Sequence, residues 1–264
     1  MGESREMQGA AFFDVDNTLL RGASLYYVAR GFTREGLIDA RQILRYGWRQ
    51  FRYLWSGKEH LKDLKFVTDA SMAFIGGRDA EQMRELLCKV VDEILLNKLW
   101  PGTLKLAQHH RLLGQEVWLV TAAPNELAEV LAERLALTGG VGTRSQIVDG
   151  RYTGHLEGAP LHGQAKAEAV QRIALERNID LAQSTAYSDS LNDLPMLSVV
   201  GSAVAVNPDA WLRREAHRHG WLIVEYRRRR VWHGDPVPAN PNVAVGAGFA
   251  AGLAEAAIER NRRR

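Results

Sequence analysis

Two carboxylates stand two residues apart at Asp14 and Asp16, directly after the short apolar run Ala11 to Phe13. In an extended segment, residues i and i+2 project to one side, so both acids share one small space. Like charges that close push one pKa upward. One carboxylate can then stay ionised as a nucleophile while the other holds a proton for a leaving alkoxide. Cleavage of a phosphoester through a covalent intermediate needs this division of labour. The same stretch, Asp14-Val15-Asp16-Asn17-Thr18, also suits a plain strand-to-loop turn, with Asp and Asn as turn formers.

Three further places carry polar residues of matching chemistry. Thr121 follows Val117 to Val120 and precedes Ala122, Ala123 and Pro124. A hydroxyl and free amides at a helix N-terminus suit a phosphate, although such a Thr also serves as an ordinary helix cap. Lys166 falls in the first turn of a helical pattern that follows the loop Gly158 to Gly163. A lysine there opposes the helix dipole unless an anion sits nearby, and lone lysines are usually solvated. The run Ser188-Asp189-Ser190-Leu191-Asn192-Asp193 offers oxygens to a hard cation, or an Asp or Asn cap to the helix that follows. Four such caps would not be expected to fall in this order at the ends of successive elements of one sheet.

Short β-rich runs at Ala11 to Phe13, Val117 to Val120, Thr185 to Tyr187, Ala203 to Val206 and Leu222 to Val224 provide those ends. Helical patterns at Gly102 to Leu113, Asn125 to Leu137, Gln164 to Asn178 and Asp209 to His219 separate them. The alternation predicts an α/β fold, a Rossmann-like parallel sheet with helices on both faces. Ligands bind such sheets beyond the carboxyl ends of the strands. Asp149-Gly150, between Ser145 to Val148 and Arg151 to His155, reads as a β-hairpin attached to this core. Residues 22–97 have helical periodicity and read as a cap domain inserted after the first strand. The catalytic core is then residues 1–21 and 98–230, with a Pro-containing linker and basic tail at 231–264.

A chain of 264 residues with 46% apolar side chains can bury one sizeable core and still supply a smaller domain. The single cysteine, Cys88, excludes an internal disulfide and a cysteine-based zinc cage, and points to a reducing cytoplasm. The stretch Met1 to Gly9 reads as neither an export nor a lipidation signal. Residues 227–264 hold eight arginines against Asp235, Glu255 and Glu259, a net +5, which leaves −2 for the rest of a chain whose total is +3. The basic character therefore belongs to a tail, and no nucleic-acid partner is expected.

Taken together, the DxDxT, Thr, Lys and SDSxxD motifs resemble those of the haloacid dehalogenase superfamily. The SDSxxDLPM run and the helical insertion are similar to its subfamily IB, the phosphoserine-phosphatase-like branch, over about residues 10–226. The resemblance implies Asp14 as nucleophile and Asp16 as general acid and then base. It implies Thr121, Lys166 and Asn192 as ligands of the transferring phosphoryl group. Mg2+ would be held by Asp14, the main-chain carbonyl of Asp16 and Asp189, with Asp193 supporting the site. The implied activity is hydrolysis of a phosphate monoester of a small metabolite, with a helical lid that carries selectivity.

Substrate identity is not carried over, because the branch places a substrate-reading glutamate about nine residues past the nucleophile, where this chain has Ala23. That substitution speaks against phosphoserine. Between Leu37 and Lys58, arginines interleave with Tyr46, Trp48, Phe51, Tyr53 and Trp55. This pattern fits an amphipathic cap helix with snorkelling arginines, and also leaves open a peripheral contact with an anionic membrane. Residues 243–258 are too few to span a bilayer comfortably. A homodimer is compatible with the sequence, as is an alternative role at a membrane surface, on lipid phosphates or as an interaction protein.

Overall fold

The computed structural model describes residues 8–37, 68–69 and 71–227. Residues 38–58 of the basic and aromatic segment and the whole of the tail at 231–264 lie outside the described residues. The chain divides into two compact units. One draws on Met1–Arg21, Leu99–Thr143 and Ala159–Asp235, and the other includes Gly22–Lys98 and Arg144–Gly158.

Strands are β1 (Ala10–Phe13), β2 (Glu116–Pro124), β3 (Gly139–Thr143), β4 (Ser145–Val148), β5 (Arg151–Leu156), β6 (Thr185–Ser188), β7 (Ser202–Val206) and β8 (Leu222–Val224). In the first unit they form a six-stranded sheet of order β3-β2-β1-β6-β7-β8, with every pairing parallel. The helices are α1 (Ser24–Arg34), α2 (Ala80–Val90), α3 (Pro101–Leu112), α4 (Asn125–Arg134), α5 (Gln164–Arg177), α6 (Leu194–Ser198) and α7 (Ala210–His219). This is the α/β Rossmann-like core that the alternation of patterns predicts.

Register explains why both faces of the sheet need cover. Phe12 aligns with Trp118 and Ala186, and Phe13 with Leu119 and Tyr187. Phe12, Val120 and Ala186 share one cluster with Val170 and Ile173 of α5, Met196 and Leu197 of α6, and Leu212 of α7. On the opposite face, Phe13 stacks on Tyr187 with ring centroids 4.1 Å apart, and His110 of α3 meets Phe13 edge-on. Phe12 and Phe13 are both fully buried. Each such side chain contributes about 1.5–3 kcal/mol relative to exposure, which anchors β1 between the two layers of helices.

Three features depart from the sequence pattern. Strand β3 reads Gly-Gly-Val-Gly-Thr, which offers few side chains to pack and no alternation, and nothing in it announces a strand. Strand β2 continues to Pro124, with a register shift between Val120 and Pro124, so Thr121 sits inside an irregular strand end and not after it. The β4–β5 hairpin groups with the second unit, contrary to its expected attachment to the sheet. Its turn has the expected chemistry, with Asp149 at φ 49° and Gly150 at φ 73°. What decides its place is backbone pairing, since Gly77 N–H donates to Tyr152 O at 2.7 Å, Tyr152 N–H to Arg78 O at 3.0 Å and Ala80 N–H to Gly150 O at 2.8 Å.

Within the second unit, Asp79 caps α2 by accepting from the N–H groups of Glu81 and Gln82 at 3.0 and 3.1 Å. Helix α1 buries Tyr27, Val28 and Phe32, and Phe32 stacks near Phe74. No helix among the described residues is long and apolar enough to cross a membrane.

Candidate active site

The first unit brings the polar ends of β1 and β6 and the start of α5 to one place. Asp14 follows β1, and its N–H donates to Tyr187 O of β6 at 2.9 Å, so the β1–β6 pairing runs directly into the site. Asn17 adopts a left-handed backbone at φ 60° and turns the chain back after the two acids. Lys166 enters from the first turn of α5. The preceding Gly163 has φ 57° and ψ −119°, a conformation that L side chains rarely adopt, and this lets the loop turn sharply into the helix.

Lys166 Nζ donates to Asp14 Oδ1 at 2.6 Å and to Asp193 Oδ2 at 2.8 Å. Ser188 Oγ donates to the same Asp193 oxygen at 2.7 Å. Thr18 Oγ1 reaches Asp189 Oδ1 at 3.4 Å, a long contact. Asp14, Lys166, Asp189 and Asp193 are each at most 5% exposed. Burial lowers the Lys166 pKa, but Asp14 and Asp193 outweigh it, so the ammonium stays charged. Burial raises the Asp14 carboxyl to about 7, with Lys166 opposing and Asp193 and Asp16 adding to the rise. Asp189 is pushed well above the usual carboxylate range, first by burial and then by Asp14 and Asp193.

The other sequence candidates are placed as follows. Asp16 is half-buried, close enough to Asp14 to act on its charge. Thr121 is 1% exposed, and its Oγ1 accepts from Ala123 N–H at 3.2 Å. That leaves its hydroxyl hydrogen available for an anion. Asn192 is half-buried, with its N–H donating to Ser190 Oγ at 3.3 Å.

Two residues beyond the motifs also belong to this region. Asp209 Oδ2 accepts from Leu191 N–H at 3.1 Å, and Asp209 N–H donates to Asp189 O at 2.8 Å. Arg227 Nη2 lies 3.9 Å from Asp189 Oδ2. Asp209 was visible in the sequence only as a helix start, and Arg227 was hidden in an arginine run that reads as a solvated face.

Among the described residues, three buried carboxylates, Asp14, Asp189 and Asp193, face Lys166 and the half-exposed Arg227. A hard divalent cation fits this surplus of anionic oxygen. No three Asp, Glu, His or Cys side chains among the described residues converge into a ready-made metal cage. A Mg2+ ion that keeps several of its waters does not need one.

A parallel sheet whose strand ends present a buried lysine among aspartates defines an enzyme of the α/β class built to handle an anionic group. Comparison with known proteins narrows this. The model of the haloacid dehalogenase-like hydrolase family matches residues 11–198. Over 249 residues the chain is 43% identical to a phosphoserine phosphatase of Mycobacterium tuberculosis, covering 94% of this chain and 81% of that protein. A histidinol-phosphatase of Neisseria meningitidis is 28% identical over 225 residues, 84% of this chain and all of that protein. The crystal structure of a Bordetella pertussis protein of unknown function matches with a TM-score of 0.71 at 24% identity, over 83% of this chain and 98% of that one, and speaks to the fold alone. The chain belongs to the haloacid dehalogenase-like hydrolases, and within them it is related to phosphatases.

Proposed function

We propose that this chain is a Mg2+-dependent phosphatase that hydrolyses the phosphate monoester of a small metabolite through a phosphoryl-aspartate on Asp14. The observation that carries the reading is the buried Lys166 ammonium shared between Asp14 and Asp193. It places fixed positive charge where an anionic carboxylate has to meet an anionic phosphate.

An Asp14 carboxylate oxygen forms the new bond to phosphorus as the ester P–O bond breaks, and Asp16 gives its proton to the departing alkoxide. Asp16, now a base, takes a proton from the water that attacks phosphorus in the second step. Inorganic phosphate leaves and the Asp14 carboxylate is restored. Lys166, the Thr121 hydroxyl and Asn192 hold the phosphoryl oxygens through both steps. Asp14, Asp189 and the main-chain carbonyl of Asp16 would hold Mg2+, with Asp193 supporting through Lys166. When bound, the ion supplies charge that lets the nucleophile approach a phosphate dianion.

Relatives named for phosphoserine and histidinol phosphate support a small phosphorylated metabolite as substrate. Ala23 carries no carboxylate at the position where the phosphoserine-phosphatase-like branch reads its substrate, which favours a compound other than phosphoserine. The test is a screen of amino-acid, sugar, nucleotide and lipid phosphates with and without Mg2+, and with Asp14→Asn as control. Phosphate release from a small ester that needs both Mg2+ and Asp14 is the expected result. Release only from lipid phosphates would replace the substrate class, and none from any ester would end the reading.

A further inference from the structure

Arg227 brings a positive charge to the carboxylate that the proposed function assigns to the divalent cation. Its Nη2 lies 3.9 Å from Asp189 Oδ2, and its side chain is 52% exposed whereas that of Asp189 is 6% exposed. The backbone that carries it is pinned from two sides. The N–H groups of Tyr226 and Arg227 both donate to Asn207 Oδ1, at 2.7 and 3.1 Å. Asn207 is itself buried and left-handed at φ 47°, and donates its own N–H to Val224 O at 2.8 Å. On the other side the Tyr226 ring lies against Gly102, where a Cβ would fall 2.0 Å from Cε1. Any larger residue at 102 would displace the ring.

Lys166 is committed to Asp14 and Asp193, so among the described residues Arg227 is the cation paired with Asp189. A guanidinium cannot lose its proton to make room for a second cation. It can only turn into solvent, which its half-exposed position allows.

Resting on the assignment of Asp189 as a metal ligand, we infer that Arg227 is a resident counter-cation which competes with the divalent ion for Asp189 and weakens metal binding. Two cations drawn to one buried carboxylate repel each other, and partial exposure screens that repulsion. The expected size is therefore about three- to tenfold in metal affinity.

Mg2+ is titrated calorimetrically into the full-length, chelator-stripped protein with no substrate present. Arg227→Ala and Arg227→Gln should bind about three- to tenfold more tightly, Arg227→Lys should stay near wild type, and Asp189→Asn should lose binding. Folding is checked by circular dichroism and melting, and the near-isosteric Gln variant guards against a packing defect in Ala. If Asp189→Asn loses binding but the folded Arg227→Gln variant binds no more tightly than wild type, the Arg227 inference alone falls. If wild type and Asp189→Asn bind alike or not at all, the metal assignment falls and takes this inference with it. Failure of both neutral variants to fold would make Arg227 a stability element and would also overturn the inference.

Discussion

The Lys166 ammonium donates to Asp14 at 2.6 Å across 152 positions of sequence, and the contact is buried at both ends. The topology makes this meeting inevitable, because β1 lies in the middle of the sheet and α5 packs Val170 and Ile173 in the same cluster as Phe12. A buried pair of this kind adds little net stability over an apolar pair, but removal of one partner strands the other.

Lys166→Met should therefore cost about 3–5 kcal/mol of stability and reduce kcat at least about a hundredfold. Urea denaturation and steady-state kinetics would measure the two effects. Adding Asp193→Asn to Lys166→Met should recover part of the stability and none of the activity, since one stranded carboxylate is removed and the cation stays absent. A double variant no more stable than the single one would contradict this.

Asp14→Asn separates chemistry from packing. The amide keeps the shape and can still accept from Lys166, so melting should show a folded protein. It cannot form the acyl phosphate, and turnover should fall by at least about a thousandfold. Near-normal turnover would rule out Asp14 as the nucleophile.

Metal removal has a consequence for stability as well as for rate. The Asp14 carboxyl has a folded pKa of about 7, above its ordinary 3.8. A raised acid binds more protons folded than unfolded, so its contribution is present below the lower value and is lost as pH rises through the upper one. Chelator-stripped protein should therefore lose stability between about pH 4 and pH 7. Saturating Mg2+ should reduce that loss and raise the melting temperature at neutral pH, because a ligand bound only to the folded state stabilises it. Chelation should also abolish turnover, with recovery on adding Mg2+. A melting profile indifferent to Mg2+ at every pH would argue against the ion binding at these carboxylates.

What the sequence disclosed and what it hid follow from the range of the forces involved. Strands β1, β2, β6, β7 and β8 carry concentrated apolar runs, so periodicity located them, and the motif residues just beyond those runs could be read locally. Strand β3 is mostly glycine, with only Val141 and Thr143 offering side chains beside its pairing with β2, and no local pattern marks it. The placement of the hairpin depends on backbone bonds between Gly77 or Arg78 and Tyr152, partners more than seventy positions apart in the chain. Arg227 was invisible for another reason: its run of arginines has one composition, and nothing local in it points to the approach of Arg227 to Asp189.

Asp209 offers the finest test of how the site is held, since each of its oxygens has a separate task. Oδ1 accepts from Trp211 and Leu212 N–H at 2.8 and 2.7 Å and caps α7, while Oδ2 accepts from Leu191 N–H at 3.1 Å and holds the loop that carries Asp189 and Asp193. Asp209→Ala loses both, and should cost about 1–2 kcal/mol of stability together with about tenfold in kcat. Asp209→Asn has one acceptor oxygen. It can keep the cap, but then turns an amide N–H toward the Leu191 N–H. This variant should stay within about 1 kcal/mol of wild type while kcat falls nearly as far as in the Ala variant. Urea melts and kinetics on both variants measure the two tasks separately. If Asp209→Asn retains full activity, the Leu191 contact does not position the site and Asp209 is a helix cap alone.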